Sequence, residues 1–334
     1  MSAPVHPDVA LYAGERRVPV IAPVDHYAGA EKLIRKALAL QDELGPVFDV
    51  TGDCEDGAAA GEEDSHARMV AGLIASDANR HGQFGMRVHA PHEGHCRSDI
   101  DILLDIAGNR VSHITVPKAT SATQLGEVID YIRQGCAKRG IAREIPIHAL
   151  VETHGALADV HQMAALPWMR VLDFGLLDFI SAHDGAIPAS AMRSPAQFEH
   201  KLLVRAKTEI AAAALAHGLV PAHNVCLDLK NAEVVRSDAR RARYEFGFLR
   251  MWSIYPAQIQ PIVEAMRPDY SEAEDAAAVL LAAQAVDWGP IQYRGELYDR
   301  ASYRYYWITL QRARLSGIAI GDEAERAFFS QSQQ

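Results

Sequence analysis

Charged side chains follow several successive apolar runs of the sequence, and most of them are acidic. They are Asp53, Glu55, Asp56, Arg87, Lys118, Glu152 and Asp178. Carboxylates that crowd one place repel one another unless a cation lies among them. Asp and Glu without a cluster of His or Cys favour a hard cation such as Mg²⁺ over zinc, with Mn²⁺ as the alternative. The pattern therefore predicts a carboxylate site for a divalent cation, provided that the fold brings these residues together.

Two other kinds of site have less support. His89, His92 and His95 are closely spaced, but they do not form H-E-x-x-H, and a loop after Pro91 would not hold the i, i+4 geometry of a helical zinc site. We expect a structural or exposed role for these histidines. No G-x-S-x-G occurs, so the sequence does not indicate a hydrolase nucleophile elbow.

Eight short apolar runs alternate with longer segments whose apolar residues recur at spacings of three and four. The runs are 19–24, 47–53, 84–90, 113–118, 145–152, 170–176, 224–229 and 251–255. Several are continuously apolar, as expected of parallel strands that are covered on both faces. Eight repeats favour a closed (β/α)8 TIM barrel, an α/β fold, over an open sheet, and no G-x-G-x-x-G follows any predicted strand. The charged residues then lie at the carboxyl ends of the strands, where such barrels carry their chemistry.

The pattern changes after Pro268. Residues 271–288 predict an Ala-rich helix, residues 289–298 a small hairpin around Arg294-Gly295, and residues 302–315 another helix. We therefore expect a barrel domain over residues 1–268. Residues 269–334 form a predicted C-terminal helical and hairpin extension that caps the barrel or a neighbouring subunit.

Composition excludes several classes of protein. The chain has 334 residues and a formal net charge of −10, which disfavours binding to nucleic acid. Its four cysteines form no C-x-x-C, which indicates neither a zinc ribbon nor a disulfide framework. The most apolar stretch, residues 276–286, is too short to span a bilayer, and the first residues lack the apolar core of a signal peptide. We expect a cytoplasmic protein without a membrane or nucleic-acid partner.

An ordered set of motifs resembles the HpcH/HpaI aldolase and citrate lyase β-subunit family, which are carbon–carbon lyases built on a barrel. The motifs are R-V-P-V-I-A-P at 17–23, D-C-E-D-G-A at 53–58, R-V-H at 87–89, V-P-K at 116–118, V-E-T-H-G-A at 151–156 and F-G-L-L-D at 174–178. The last two are the most specific, because they place an acidic residue at the end of each of two adjacent strands. The resemblance extends from residue 17 to about residue 314.

The resemblance also implies roles for individual residues. In that family the acidic residues at the positions of Glu152 and Asp178 ligate Mg²⁺, and those of Glu55 and Asp56 hold metal-bound water. Arg87 would then meet the carboxylate or carbonyl oxygen of the substrate. The remaining predicted substrate contacts are Arg17, Lys118 and Thr153.

The tail resembles a further family motif. Residues 289–299 are similar to G-A-F-x-x-x-G-x-M-x-D, in which the final Asp is a catalytic acid that an adjacent protomer supplies. The resemblance implies this role for Asp299. A shared site of this kind implies a closed homo-oligomer, a trimer or a dimer of trimers.

The chain departs from the family pattern at residues 247–256. Arg250-Met251 replaces Gly-Lys and Tyr255 replaces His, in a region that lies near coenzyme A in family members. The resemblance favours a Mg²⁺-dependent lyase that cleaves a β-hydroxyacyl substrate, a coenzyme A thioester of malyl, citramalyl or citryl type. Two alternatives remain at this point: an aldolase that acts on a free hydroxy-keto acid without coenzyme A, and a non-catalytic barrel protein.

Overall fold

The computed structural model describes residues 4–12, 14–15, 17–57 and 61–330. Eight parallel strands form a closed barrel in sequence order, which confirms the predicted (β/α)8 fold. The strands are β1 (Val24–Ala28), β2 (Phe48–Asp53), β3 (Phe84–Arg87), β4 (Ile114–Val116), β5 (Ile147–Val151), β6 (Met169–Phe174), β7 (Val220–His223) and β8 (Arg250–Ser253). Nearly every strand residue is buried, as expected of a sheet that helices cover on its outer face.

Helices follow the strands and bury their apolar faces against the barrel. They are α2 (Glu31–Leu44), α3 (Glu63–Ala75), α4 (His95–Ala107), α5 (Ala122–Lys138), α6 (His154–Ala158), α7 (Val160–Ala164), α8 (Leu176–Ser181), α9 (Lys201–Ala216), α10 (Ala232–Phe246) and α11 (Ile259–Met266). Three 3₁₀ helices complete this unit at Ala189–Met192, Ala196–Phe198 and Pro256–Gln258. One apolar cluster of strand and helix side chains forms its core.

Two predicted strands differ from the observed ones. The run 19–24 precedes β1, which begins only at Val24, because Pro19 and Pro23 have no N–H to donate to a ladder. The run 224–229 follows β7, which spans Val220–His223. Asn224 ends that strand by hydrogen bonds of its side chain, one of them to the Val225 carbonyl at 2.9 Å.

A second unit consists of the described residues within 1–21 and 267–334. Its elements are α1 (Pro7–Tyr12), α12 (Tyr270–Ala285), the antiparallel hairpin β9 (Ile291–Tyr293) and β10 (Glu296–Tyr298), α13 (Arg300–Leu315) and α14 (Asp322–Phe328). The hairpin turns at Arg294 and Gly295, both with positive φ, as a tight two-residue turn requires. The helices and hairpin of the extension are therefore present, and residues 1–21 group with them although the sequence placed these residues with the barrel.

Within the described residues, the structure contains no helix that is both long and apolar enough to cross a membrane.

Candidate functional site

Arg87 lies at the carboxyl end of β3 and is almost fully buried among carboxylates. Its Nε and Nη2 donate to the two carboxylate oxygens of Asp53 at 2.7 and 2.6 Å, and its Nη1 lies 3.0 Å from Glu55 Oε2. Burial alone would lower the pKa of Arg87. The Asp53 carboxylate outweighs this effect and raises the pKa above its ordinary value. The guanidinium is therefore a permanent positive charge, held in one orientation by a bidentate pair.

Lys118 supplies the second positive charge from the end of β4. Its Nζ lies 2.5 Å from Glu55 Oε1, donates to both oxygens of Asp56 at 2.9 and 3.0 Å, and lies 3.8 Å from Asp178 Oδ1. Burial opposes protonation of the ammonium, but these carboxylates raise the pKa of Lys118 above its ordinary value. The side chain therefore occupies a position between three carboxylates.

The carboxylates that surround Lys118 respond differently. Burial raises the pKa of Glu55, although Arg87 opposes that effect. Burial would also raise the pKa of Asp56, but the hydrogen bonds from Lys118 lower it below its ordinary value.

Glu152 follows β5 directly, and only 1% of it is exposed. Its Oε1 accepts a hydrogen bond from the backbone N–H of Lys118 at 2.6 Å. Burial, and then the Asp178 carboxylate, raise the pKa of Glu152 to about 8. Gly175 leaves room for this carboxylate, since a β-carbon at that position would collide with Glu152 Oε2.

Asp178 lies in the first turn of α8, and its side chain is 40% exposed. It approaches Glu152 because β5 and β6 are adjacent strands of the barrel. Both residues of the predicted pair therefore lie at the carboxyl ends of neighbouring strands and line the same cavity.

A divalent cation fits this group of side chains. Its donors are all carboxylate oxygens, the ligand type that Mg²⁺ prefers. Five carboxylates lie beside only two cations here, Arg87 and Lys118. Glu152 and Asp178 are the residues that would hold the ion.

The other predicted residues lie in more than one part of the molecule. Thr153 caps α6: its hydroxyl donates to the Ala119 carbonyl at 2.9 Å and accepts from the Ala156 N–H at 3.0 Å. Arg17 belongs to the second unit, is exposed and pairs with Asp8. Asp299 also belongs to that unit, where its exposed carboxylate caps α13 by accepting from the Ala301 N–H at 2.9 Å.

The residues that depart from the family pattern are also separated. Arg250 and Met251 are fully buried within β8, whereas Tyr255 is 47% exposed beyond the end of that strand. Arg250 Nη1 lies 2.6 Å from Asp49, and its Nη2 lies 2.7 Å from Asp25. The interpretation that all three substitutions alter the coenzyme A region is therefore wrong for Arg250 and Met251, which are part of the barrel wall.

The structure reveals a polar cluster inside the barrel that the sequence analysis missed. Metal-capable atoms of Asp25, His113 and His148 lie within 4.8 Å of one another, and the two imidazoles stack with centroids 4.0 Å apart. Burial lowers the pKa of His113 to about 3 and that of His148 to about 4. Burial would raise the pKa of Asp25, but Arg250 lowers it well below its ordinary value. His113 and His148 lie within two of the predicted apolar runs and Asp25 directly follows a third, but only the strand register shows which side chains point into the barrel.

The histidines near β3 make a separate contact. His89 Nδ1 lies 2.6 Å from Asp99 Oδ2, and both residues are buried. This pairing to α4 is consistent with the predicted structural role.

A cavity of about 170 Å³ opens among the residues described above. Its polar lining comprises Asp53, Asp56, Arg87, Glu152, Asp178 and Asn224. The rest of its wall is largely apolar and comes from β1, β5, β6, β8 and the loops after β6, β7 and β8. The cavity therefore joins the carboxylate cluster to an apolar surface at the end of the barrel that the sequence predicted.

Comparisons with known proteins indicate one family. A family model described as HpcH/HpaI aldolase/citrate lyase matches residues 48–249. An L-malyl-CoA/beta-methylmalyl-CoA lyase of Rhodobacter capsulatus is 24% identical over 66% of this chain and 73% of its own. A malyl-CoA/beta-methylmalyl-CoA/citramalyl-CoA lyase of Chloroflexus aurantiacus is 24% identical over 69% of this chain and 70% of its own.

Solved structures give the same result. A citrate lyase from Burkholderia xenovorans LB400 is 49% identical, with a TM-score of 0.83 over 97% of this chain and 100% of its own. Protein CitE from Mycobacterium tuberculosis, solved with magnesium, acetoacetate and coenzyme A, is 22% identical. It superimposes with a TM-score of 0.65 over 88% of this chain and 98% of its own, which supports the shared fold.

Proposed function

The chain belongs to the HpcH/HpaI aldolase/citrate lyase family, and we propose that it is a Mg²⁺-dependent carbon–carbon lyase that cleaves a β-hydroxyacyl coenzyme A thioester. The observation that carries this proposal is the group of carboxylates around Glu152 and Asp178, beside a fixed guanidinium in the same cavity. The lyases among its relatives act on malyl, methylmalyl and citramalyl thioesters, and this chain is proposed to act on a substrate of that class.

The reaction breaks the bond between the hydroxyl-bearing carbon and the α-carbon of the thioester. The hydroxyl loses its proton and becomes the carbonyl of a 2-oxo acid. The electron pair of the broken bond passes to the thioester as an enolate, which then takes a proton at carbon. A divalent cation, when bound, supplies electrostatic stabilisation of negative charge on oxygen.

Arg87 would orient the substrate and stabilise its developing oxygen charge. Asp53 already holds two of its nitrogens, so the guanidinium needs no reorganisation when the charge develops. Its Nη1 is the nitrogen that remains for a substrate oxygen, at the expense of its contact with Glu55. Glu55 and Asp56 would hold ordered water around the ion, and Glu55 suits the acceptor of the hydroxyl proton.

Arg17, Lys118 and Thr153 would contact the rest of the substrate. Lys118 carries a positive charge that suits a carboxylate. The Thr153 hydroxyl already makes two hydrogen bonds. This segment would therefore contact the substrate through backbone N–H groups at the start of α6. Arg17, which is exposed, suits an anionic group of the thioester portion.

Asp299 from a neighbouring copy would donate the proton to carbon. In the barrel, Glu55 would already serve the hydroxyl proton, Asp56 would hold water, and Glu152, Asp178, Arg87 and Lys118 would act as metal ligands and cations. A further carboxylic acid suits the delivery of a proton to carbon. The exposed position of Asp299 at the start of α13 suits a shared site, so the protein would be a homotrimer or a dimer of trimers. We also propose that the protein is located in the cytoplasm.

A direct assay tests the activity. The purified protein is mixed with malyl, citramalyl and citryl thioesters in the presence of Mg²⁺, and the released 2-oxo acid is trapped as its hydrazone. We expect cleavage of at least one thioester, loss of activity with EDTA and recovery with Mg²⁺. Cleavage of a free hydroxy-keto acid alone would replace this function with the aldolase alternative, and no cleavage of either kind of substrate would contradict both.

Subunit mixing tests the role of Asp299. Glu152→Gln and Asp299→Ala should each be inactive, and exchange of their subunits should restore part of the activity. A mixed interface can then place one intact carboxylate pair opposite one intact Asp299. No recovery after verified exchange would contradict the shared site, and full activity of Asp299→Ala alone would remove this residue from the reaction.

A further inference from the structure

The inner wall of the cavity is apolar. Leu150 lies two residues before Glu152 on the same strand, and Trp252 lies two residues before Ile254. Alternate residues of a strand share a face, so Leu150 and Trp252 lie one layer deeper in the barrel than Glu152 and Ile254. The apolar wall includes Tyr27, Leu150, Phe174, Leu176, Trp252 and Ile254. A small ligand that extends inward from the carboxylates therefore meets carbon atoms.

The polar atoms of the two aromatic side chains already have partners within the protein. Trp252 Nε1 donates to Asp173 Oδ1 at 2.5 Å, and the Tyr27 hydroxyl donates to Thr115 Oγ1 at 3.5 Å. Their rings stack, with centroids 4.2 Å apart and planes inclined by 18°. These two residues therefore present ring surface rather than hydrogen-bonding groups to the cavity.

The polar anchor and the apolar wall are close together. The Arg87 guanidinium carbon lies 5.6 Å from the centroid of the Tyr27 ring. A ligand whose carboxylate or carbonyl oxygen meets Arg87 would therefore reach the apolar wall with its next one or two carbon atoms. The cavity volume of about 170 Å³ restricts that part of the ligand to a small group.

We infer that the 2-oxo acid released by this enzyme carries a small alkyl group, methyl or ethyl, on its carbonyl carbon. This inference rests on the proposed function. A hydrogen atom in place of the alkyl group would leave the apolar wall uncovered, and a second carboxylate would be desolvated against carbon without a partner. The thioester substrate is then a 3-carboxy-3-hydroxyacyl compound with an alkyl group at carbon 3, and the citramalyl type is its methyl member.

Calorimetric titration of the intact protein at saturating Mg²⁺ compares four 2-oxo acids: glyoxylate, pyruvate, 2-oxobutyrate and oxaloacetate. Burial of one methyl or methylene group corresponds to about a fourfold gain in affinity. We therefore expect pyruvate to bind about fourfold more tightly than glyoxylate, 2-oxobutyrate at least as tightly as pyruvate, and oxaloacetate at least tenfold more weakly than pyruvate.

Leu150→Thr tests the wall itself, because it places a hydroxyl group where the alkyl group would lie. It should reduce the preference for pyruvate over glyoxylate to twofold or less. Ile147→Thr, on the same strand but outside the cavity lining, is the matched control and should keep the wild-type ranking. If either variant fails to fold, the ranking of the wild-type protein alone decides the matter.

Two results would overturn the inference, and they differ in what else they affect. If glyoxylate or oxaloacetate binds at least as tightly as pyruvate, the inference is wrong while the proposed lyase function stands. If none of the four acids binds in the presence of Mg²⁺, the proposed function is wrong, and the inference falls with it.

Discussion

The barrel holds carboxylates in two regions, and the cations that balance them differ. Inside the barrel, Asp25 and Asp49 flank the fully buried Arg250, and the neighbouring imidazoles are neutral. At the carboxyl ends of the strands, five carboxylates face Arg87 and Lys118. The interior therefore holds one carboxylate more than cations, and the cavity holds three more. The interior arrangement suits a fixed structure, whereas the cavity has capacity for one more cation.

The largest effect on stability should come from Arg250→Met. The substitution leaves two buried carboxylates without a counter-charge, and loss of one partner of a buried ion pair costs about 3–5 kcal/mol of unfolding free energy. Chemical denaturation measures this change. Lys118→Met at the cavity is the matched control and should cost less, because two of its three partners, Asp56 and Asp178, are partly solvated and Arg87 still pairs with the third, Glu55. Equal losses in the two variants would remove the distinction between the two regions.

Arg87→Lys should have a large effect on catalysis. A lysine cannot reproduce the bidentate pair with Asp53 while it also faces the substrate. We expect a lower kcat/KM that corresponds to a loss of about 2–4 kcal/mol of transition-state stabilisation, with the fold retained. Steady-state kinetics give the first quantity and thermal melting gives the second. A variant with near-native kcat/KM but a much lower melting temperature would show that Arg87 only pairs with its neighbours.

Asp173→Asn tests the effect of burial on a carboxylate that does not line the cavity. Burial, and then the Asp25 carboxylate, raise the pKa of Asp173 to about 8. The folded state therefore binds this proton more tightly than the unfolded state, and the contribution to stability falls as pH rises from about 4 to 8. Asn should remove that fall, so the gain in unfolding free energy over the wild type should be larger at pH 8 than at pH 5. Denaturation curves of the two proteins at pH 5 and pH 8 measure it, and parallel pH profiles would contradict the assignment.

Gly175→Ala should have the smallest effect and act only at the cavity. Its β-carbon would displace the Glu152 carboxylate, and we expect Mg²⁺ affinity to fall about tenfold, which corresponds to about 1.4 kcal/mol. Gly72→Ala on α3 is the control, because no neighbouring atom lies near that position. It should leave metal binding unchanged and stabilise the helix slightly. Unchanged Mg²⁺ affinity in Gly175→Ala would mean that the position of Glu152 is not critical.

The sequence predicted the barrel and the cavity carboxylates for a physical reason. Parallel strands bury both faces, so they appear as apolar runs, and their carboxyl ends converge on one edge. This logic placed Glu152 and Asp178 together without further information. Periodicity also gave the hairpin around Arg294 and Gly295, since a tight turn has a strong local signal.

The interior cluster could not be predicted in the same way. Asp25 and Arg250 are 225 positions apart, and only the closure of β8 onto β1 brings them together. The sequence pattern therefore indicated that Arg250 alters a binding region. In the structure, Arg250 is the counter-charge of Asp25 and Asp49 within the barrel wall. Residues 1–21 grouped with the C-terminal extension for a similar reason, because long-range contacts leave no periodic signal in the sequence.

Titration of Mg²⁺ into the metal-free protein tests the central claim most directly. The wild-type protein should bind one ion per chain, and Glu152→Gln and Asp178→Asn should each lose most of that affinity while remaining folded. Asp173→Asn, which removes an equally perturbed carboxylate outside the cavity lining, should bind Mg²⁺ as the wild type does. Unchanged binding in both cavity variants would contradict the account, because the ion would then lie elsewhere in the molecule.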